Sequence, residues 1–229
     1  MDQSVLITNI AKHLDSLETI ISSIIVLAIG LAWAGVSKHR EIEIAGAKFS
    51  RRHAFYAASA VFLVANMSIL ILFLRLGDMV ILLDQSNILK AFTQLSTHRW
   101  VLNPFSFFGH SDIAKIYSSE GVGLLIAVWW LCNSSLSSLM DDKGNKAASI
   151  LLGIFLVIGL ASIYAINRVN SELLGAMKPV SPDIYALLLE ASDERMLGVV
   201  IGIVVGVLIF VSVNYIQSKW IYINGDTQQ

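Results

Sequence analysis

Residues 54–83 read AFYAASAVFLVANMSILILFLRLGDMVILL, with no charge before Arg75. A helix over all of them is about 45 Å long at 1.5 Å per residue. The hydrocarbon core of a bilayer is only about 30 Å thick. The stretch therefore crosses a membrane with turns to spare. Arg75 and Asp78, three residues apart, are placed to pair where the helix leaves lipid. The last two turns then stand in water or against a partner. The other reading is a break near Gly77 and a separate interfacial helix.

Four more stretches have the length and apolarity of a span: about 20–36, 121–139, 147–166 and 196–216. None carries a charge in its central part. The expected fold is an all-α, polytopic transmembrane bundle of five spans, four being possible, in a single membrane domain over 1–229. The joining segments are 37–53, 85–120 and 167–195, and short amphipathic helices are expected in the loops. The first span reads as a retained anchor. Asp2, Asp15 and Glu18 precede it with only Lys12 as a basic residue, and no small-x-small cleavage site follows.

Composition agrees. Of 229 residues, 55% are apolar and 14% charged, against about 25% charged in average soluble domains. Mean hydropathy is +0.69. This excludes an ordinary soluble enzyme, a disordered chain and a nucleic-acid-binding domain. Sixteen Lys and Arg against 17 Asp and Glu leave a net charge of −1 and no excess for binding polyanions. The single cysteine, Cys132, makes no intrachain disulfide and no zinc set.

Lys38, Arg40, Lys48, Arg51 and Arg52 make the first joining loop the most basic. Short basic loops stay in the cytoplasm, so the N-terminus is expected outside and the C-terminus inside. Within that loop Glu41, Ile42, Glu43 and Ile44 alternate before Ala45-Gly46, the pattern of a small β-hairpin. Arg40, Lys48, Arg51 and Arg52 are candidates for lipid or partner contact at the membrane boundary.

Outside the spans, Leu6, Ile10, Leu14 and Leu17 have helical spacing, as of an amphipathic surface helix feeding the first span. Ile88, Leu89, Phe92 and Leu95 fit one helix face. Asn103-Pro104 signals a turn, and Trp100 and Phe105 are candidate anchors for an interfacial cap. Ser181-Pro182-Asp183 is an N-cap, a Pro at the first helical position and an acid in the first turn. His98 and His110 match no standard ligand spacing, so neither metal nor cofactor is expected.

Gly198, Gly202 and Gly206 repeat every fourth residue, which lets helix backbones approach closely in lipid. They are the candidate oligomer-packing residues. Ser149/Gly153, Ala161/Ala165 and Gly123/Ala127 repeat the pattern weakly. Asn66 lies mid-span in the second stretch, and Asn133, Ser134, Ser135, Ser137 and Ser138 cluster in the third. Such residues join helices by hydrogen bonds; Asn133, Ser134 and Ser138 are alternatively a polar lining. No ionisable group lies at mid-membrane, as a proton relay or an ion-coupled carrier needs. No H-E-x-x-H, G-x-S-x-G, P-loop or dinucleotide fingerprint occurs. The chain is not expected to be an enzyme.

The stretch Glu41–Arg52 runs into the span Ala54–Leu74. That span ends in Arg75-Leu76-Gly77-Asp78, and His98-Arg99-Trp100-Val101-Leu102-Asn103-Pro104-Phe105 follows. Over about 65 residues this resembles the membrane-subunit family (KwaA) of the Kiwa phage-defence system, as a pattern of residue types. The family is usually four-span, and no functional residue is carried over. The resemblance implies a homo-oligomer in the bacterial inner membrane that senses phage attack on the envelope. It also implies recruitment of a cytosolic effector, KwaB, which acts on phage DNA. The expected function is therefore an oligomeric membrane sensor or scaffold that does not itself bind nucleic acid. The alternative is an oligomeric channel or permeabilising effector.

Overall fold

The computed structural model describes residues 2–36, 41–44, 47–95, 126–137, 139 and 146–183, together with 185, 186, 189 and eight positions between 200 and 215. Helix α1 is Gln3–Val36, strands β1 and β2 are Glu41–Ile44 and Ala47–Ser50, α2 is Arg51–Ile81 and α3 is Gln85–Leu95. Helix α4 covers 126–137, and α5 is Lys146–Met177.

Asp2 starts α1. Its carboxylate accepts from the Ser4 amide at 2.9 Å and the Ser4 hydroxyl at 2.8 Å, satisfying a donor that a helix N-terminus leaves free. Those two bonds hold the Asp2 carboxyl below the usual carboxylate range. The helix then runs unbroken to Val36. Leu6, Ile10, Leu14, Leu17, Ile21, Ile24, Ala28 and Leu31 are all buried along it. From Ile10 onward their spacing alternates between four and three, the period of a coiled-coil seam. The expected surface helix over 1–18 is thus the first half of one long helix, and its apolar face meets protein.

The hairpin is antiparallel, with Glu41 opposite Ser50 and Ile44 opposite Ala47. Ser50 ends β2 and caps α2, its hydroxyl accepting from the His53 amide at 3.3 Å. Helix α2 continues through Gly77 to Ile81, so no break divides the 54–83 stretch at that glycine. It stops at Leu82, whose amide turns back to the carbonyl of Met79. The Gln3 side chain bridges this elbow, donating to the Leu82 carbonyl at 3.3 Å and accepting from the Asp84 amide at 3.1 Å. Helix α1 is therefore antiparallel to α2.

Helix α3 folds back along the tops of α1 and α5 and buries Ile88, Ala91 and Leu95. Leu89 is turned outward, because it stands a third of a turn from Ile88. Helix α5 passes the expected boundary at 166 and ends at Met177, so the first turns of segment 167–195 are helix. Its polar residues, Asn167, Arg168 and Asn170, interrupt the apolar run but not the helix. Helical backbone resumes after Ser181, whose carbonyl accepts from the Tyr185 amide at 2.9 Å.

Helices α2 and α5 run parallel. Trp129 of α4 touches both Asn66 and Gly159, and farther along Gly77 lies against Val169 and Asp78 pairs with Arg168. Helix α4 runs the other way, with Ser135 at Ala28 of α1. Arg168 takes the carboxylate expected to pair with Arg75, across the helix interface instead of along one helix.

Among the described residues, three helices are long and apolar enough to cross a membrane: Gln3–Trp33, Arg51–Ile81 and Gly153–Met177. The expected count of five is not confirmed by the described residues. Of the expected third span only 126–137 is described as helix, and the expected fifth is described at scattered positions only. The charge-free sections 19–36, 54–74 and 147–167 overlap at the hairpin end of the bundle. Each is about 27–32 Å long, the thickness of a hydrocarbon core. Trp33 and Tyr164 are 79% and 70% exposed near opposite faces of that slab, where amphipathic rings sit at the headgroup level. Beyond it the charged turns of α1, α2 and α5, with α3 across them, form a helical head around Leu14, Leu76, Val169 and Leu173.

Candidate functional site

A polar seam runs through the slab. The Trp129 indole donates to Asn66 Oδ1 at 2.7 Å. The Asn66 amide in turn donates to the Phe62 carbonyl one turn back, also at 2.7 Å. Asn66 is buried, so in lipid these bonds replace water the side chain has lost. Trp129 reaches Asn66 because α5 presents glycine there: a Cβ on Gly159 would lie 3.0 Å from the indole Cε3. On another side of α4 the Ser135 hydroxyl lies 2.6 Å from the Ala28 carbonyl and 2.7 Å from its own Leu131 carbonyl. Ser162 donates within α5 to Ile158 at 3.0 Å.

Three further buried polar atoms, Ser59 Oγ, Asn133 Oδ1 and Ser134 Oγ, have no hydrogen-bond partner among the described residues. The candidate lining residues are thus split. Ser134 is buried and Asn133 half-buried with its Oδ1 covered, while Ser138 lies outside the described residues. Asn66 was legible as a mid-span amide. Trp129, Gly159 and Ser59 were not, although an indole N–H in a lipid-level helix already demands a partner.

The second feature is the hairpin face. Lys48 and Arg52 are exposed and Arg51 is half-buried. The Arg52 guanidinium lies 6.0 Å from the centre of the Tyr56 ring, the outer reach of a cation–π contact. No acid occupies the first turn of α2. Its positive dipole end and its cations therefore share one sign at the membrane boundary. This arrangement attracts anionic groups, whether headgroups or an acidic protein surface. Arg40 lies outside the described residues.

Gly198, Gly202, Gly206, Trp100 and Phe105 also lie outside the described residues. Between 200 and 215 the described positions are helical, and Val200, Val204, Leu208, Val211 and Tyr215 are exposed. Among the described residues no three His, Cys, Asp or Glu gather as a metal site. No family model, curated protein or solved structure matches this chain.

Proposed function

We propose that the chain is an oligomeric membrane sensor or scaffold without catalytic chemistry, which recruits a cytosolic effector. The observation that carries this reading is the continuity of α1, α2 and α5. Each runs unbroken from the helical head, through the charge-free slab, to the hairpin end. A helix that spans the slab as one rod transmits displacement or tilt of the head to the opposite face. The basic hairpin, with Lys48, Arg51 and Arg52, faces the cytoplasm on the positive-inside rule. It is the surface offered to the effector. Gly198, Gly202 and Gly206 supply the contact between copies. The resemblance of residues 41–105 supports reading the membrane as the bacterial inner membrane and the role as antiphage defence.

The test is co-expression with the product of the adjacent gene. That product, soluble alone, is expected in the membrane fraction when this chain is present. Arg51→Glu with Arg52→Glu is expected to release it. A product that stays soluble, or that the double variant retains undiminished, overturns the reading.

Ser59, Asn133 and Ser134, whose side-chain oxygens have no partner among the described residues, favour one second reading, an oligomeric channel with a hydrated lining. Steady ion flux from liposomes holding the purified protein supports the channel. Tight vesicles that still bind the soluble partner support the scaffold.

A further inference from the structure

Helix periodicity, counted from the Asn66–Trp129 bond, puts Ser59 and Asn133 on the facing sides of α2 and α4. Asn66 faces α4, since it bonds Trp129. Ser59 is seven residues before it, two turns along the same face of α2. Asn133 is four residues after Trp129, one turn along the same face of α4. The helices are antiparallel, so both steps lead from the Asn66–Trp129 bond toward the hairpin. They are about 10 Å and about 6 Å in length, which leaves the two residues within one turn of each other. Ser134, one residue on, points to another side of α4 and is not part of this place.

The chemistry narrows what fits there. Asn133 Oδ1 only accepts, whereas the Ser59 hydroxyl donates and accepts. Both atoms are buried, and neither has a partner among the described residues. Burying either unmet in hydrocarbon is costly. A ligand must donate to Asn133 while it meets the hydroxyl of Ser59. Two neutral oxygens are too few for a cation, which takes about six. No charged side chain lies in this section of α2. A single water satisfies both atoms.

We propose that Ser59 and Asn133 hold a structural water within the membrane slab, bridging α2 and α4 on the hairpin side of the Asn66–Trp129 bond. The water acts as a polar rivet: it makes two orphan atoms into an interhelical link. The inference is independent of effector recruitment.

The test uses the full chain in nanodiscs. Water-selective NMR on the unaltered protein is expected to show a long-lived water contact to the Asn133 side-chain amide. Ser59→Ala and Asn133→Leu are each expected to lower the thermal midpoint by about 2–4 °C. The pair together is expected to cost no more than the larger single change, because either removes the same bridge. Absence of the water contact overturns the proposal. So does a midpoint that stays or rises in Ser59→Ala, the behaviour of a polar atom that was never satisfied.

Discussion

The indole of Trp129 rests on the backbone of Gly159, so that a single added carbon would lie 3.0 Å from its ring. This contact lets α4 hydrogen-bond α2 through Asn66 while it packs on α5. Gly159→Leu is expected to push the indole off Asn66 and to destabilise the protein by about 1–3 kcal/mol. Thermal unfolding in detergent, with the Trp fluorescence maximum as a second readout, checks it. An unchanged midpoint would show that Trp129 has room to move.

Asn66→Leu and Trp129→Phe each remove the same bond. Interhelical hydrogen bonds in lipid are worth about 0.6–2 kcal/mol. Each single variant should lose about that much, and the double variant clearly less than the sum. A double-mutant cycle by steric trapping or denaturant titration measures the difference; additive losses would mean the two side chains act separately.

The ion pair between Asp78 and Arg168 is 62% and 35% exposed. Solvent screens such a pair, and its contribution is about 0–1 kcal/mol. Asp78→Asn should therefore shift stability only slightly, and by less at 1 M salt than at 0.1 M. A salt-independent loss would place the pair in a drier setting than its exposure indicates.

Lys48 on β2 and Ser86 on α3 stand at opposite ends of the bundle. In a Cys132→Ser background, Lys48→Cys and Ser86→Cys should react with an impermeant maleimide from opposite sides of the membrane. Labelling of both from one side would remove the slab from between them.

Asp2 carries a small pH dependence. Its carboxyl titrates lower in the folded chain than in the unfolded one because of the Ser4 bonds. Its contribution is then present above the ordinary value of 3.8 and is lost as pH falls through the lowered folded value. Amide exchange over the first turn of α1 should quicken in that acid range, and Asp2→Ala should remove the dependence.

The apolar periodicity of α1 and α2 was legible because burial in lipid and burial in protein both demand it. The hairpin was legible for the opposite reason: Glu41–Ile44 alternates with a period of two, which no helix shares. Extent was harder. Helix α5 outran its apolar run by 11 residues, from 166 to Met177. Hydropathy reports where lipid ends, not where backbone hydrogen bonding ends. The Asp78–Arg168 pair was hidden by the sequence separation of 90 residues; only the parallel packing of α2 and α5 brings the two together. Trp129 and Gly159 were missed in the same way, since neither is unusual until the other is beside it.

The matching charge-free sections of α1, α2 and α5 have a consequence for where this protein can reside. Three packed rods fix one apolar height, and no single helix can shorten or lean without its neighbours. Bilayer thickness then becomes a condition on the whole molecule. In a markedly thinner membrane the bundle must tilt as a body or cluster with others to hide its exposed girdle, and in a thicker one the lipid must pinch inward around it.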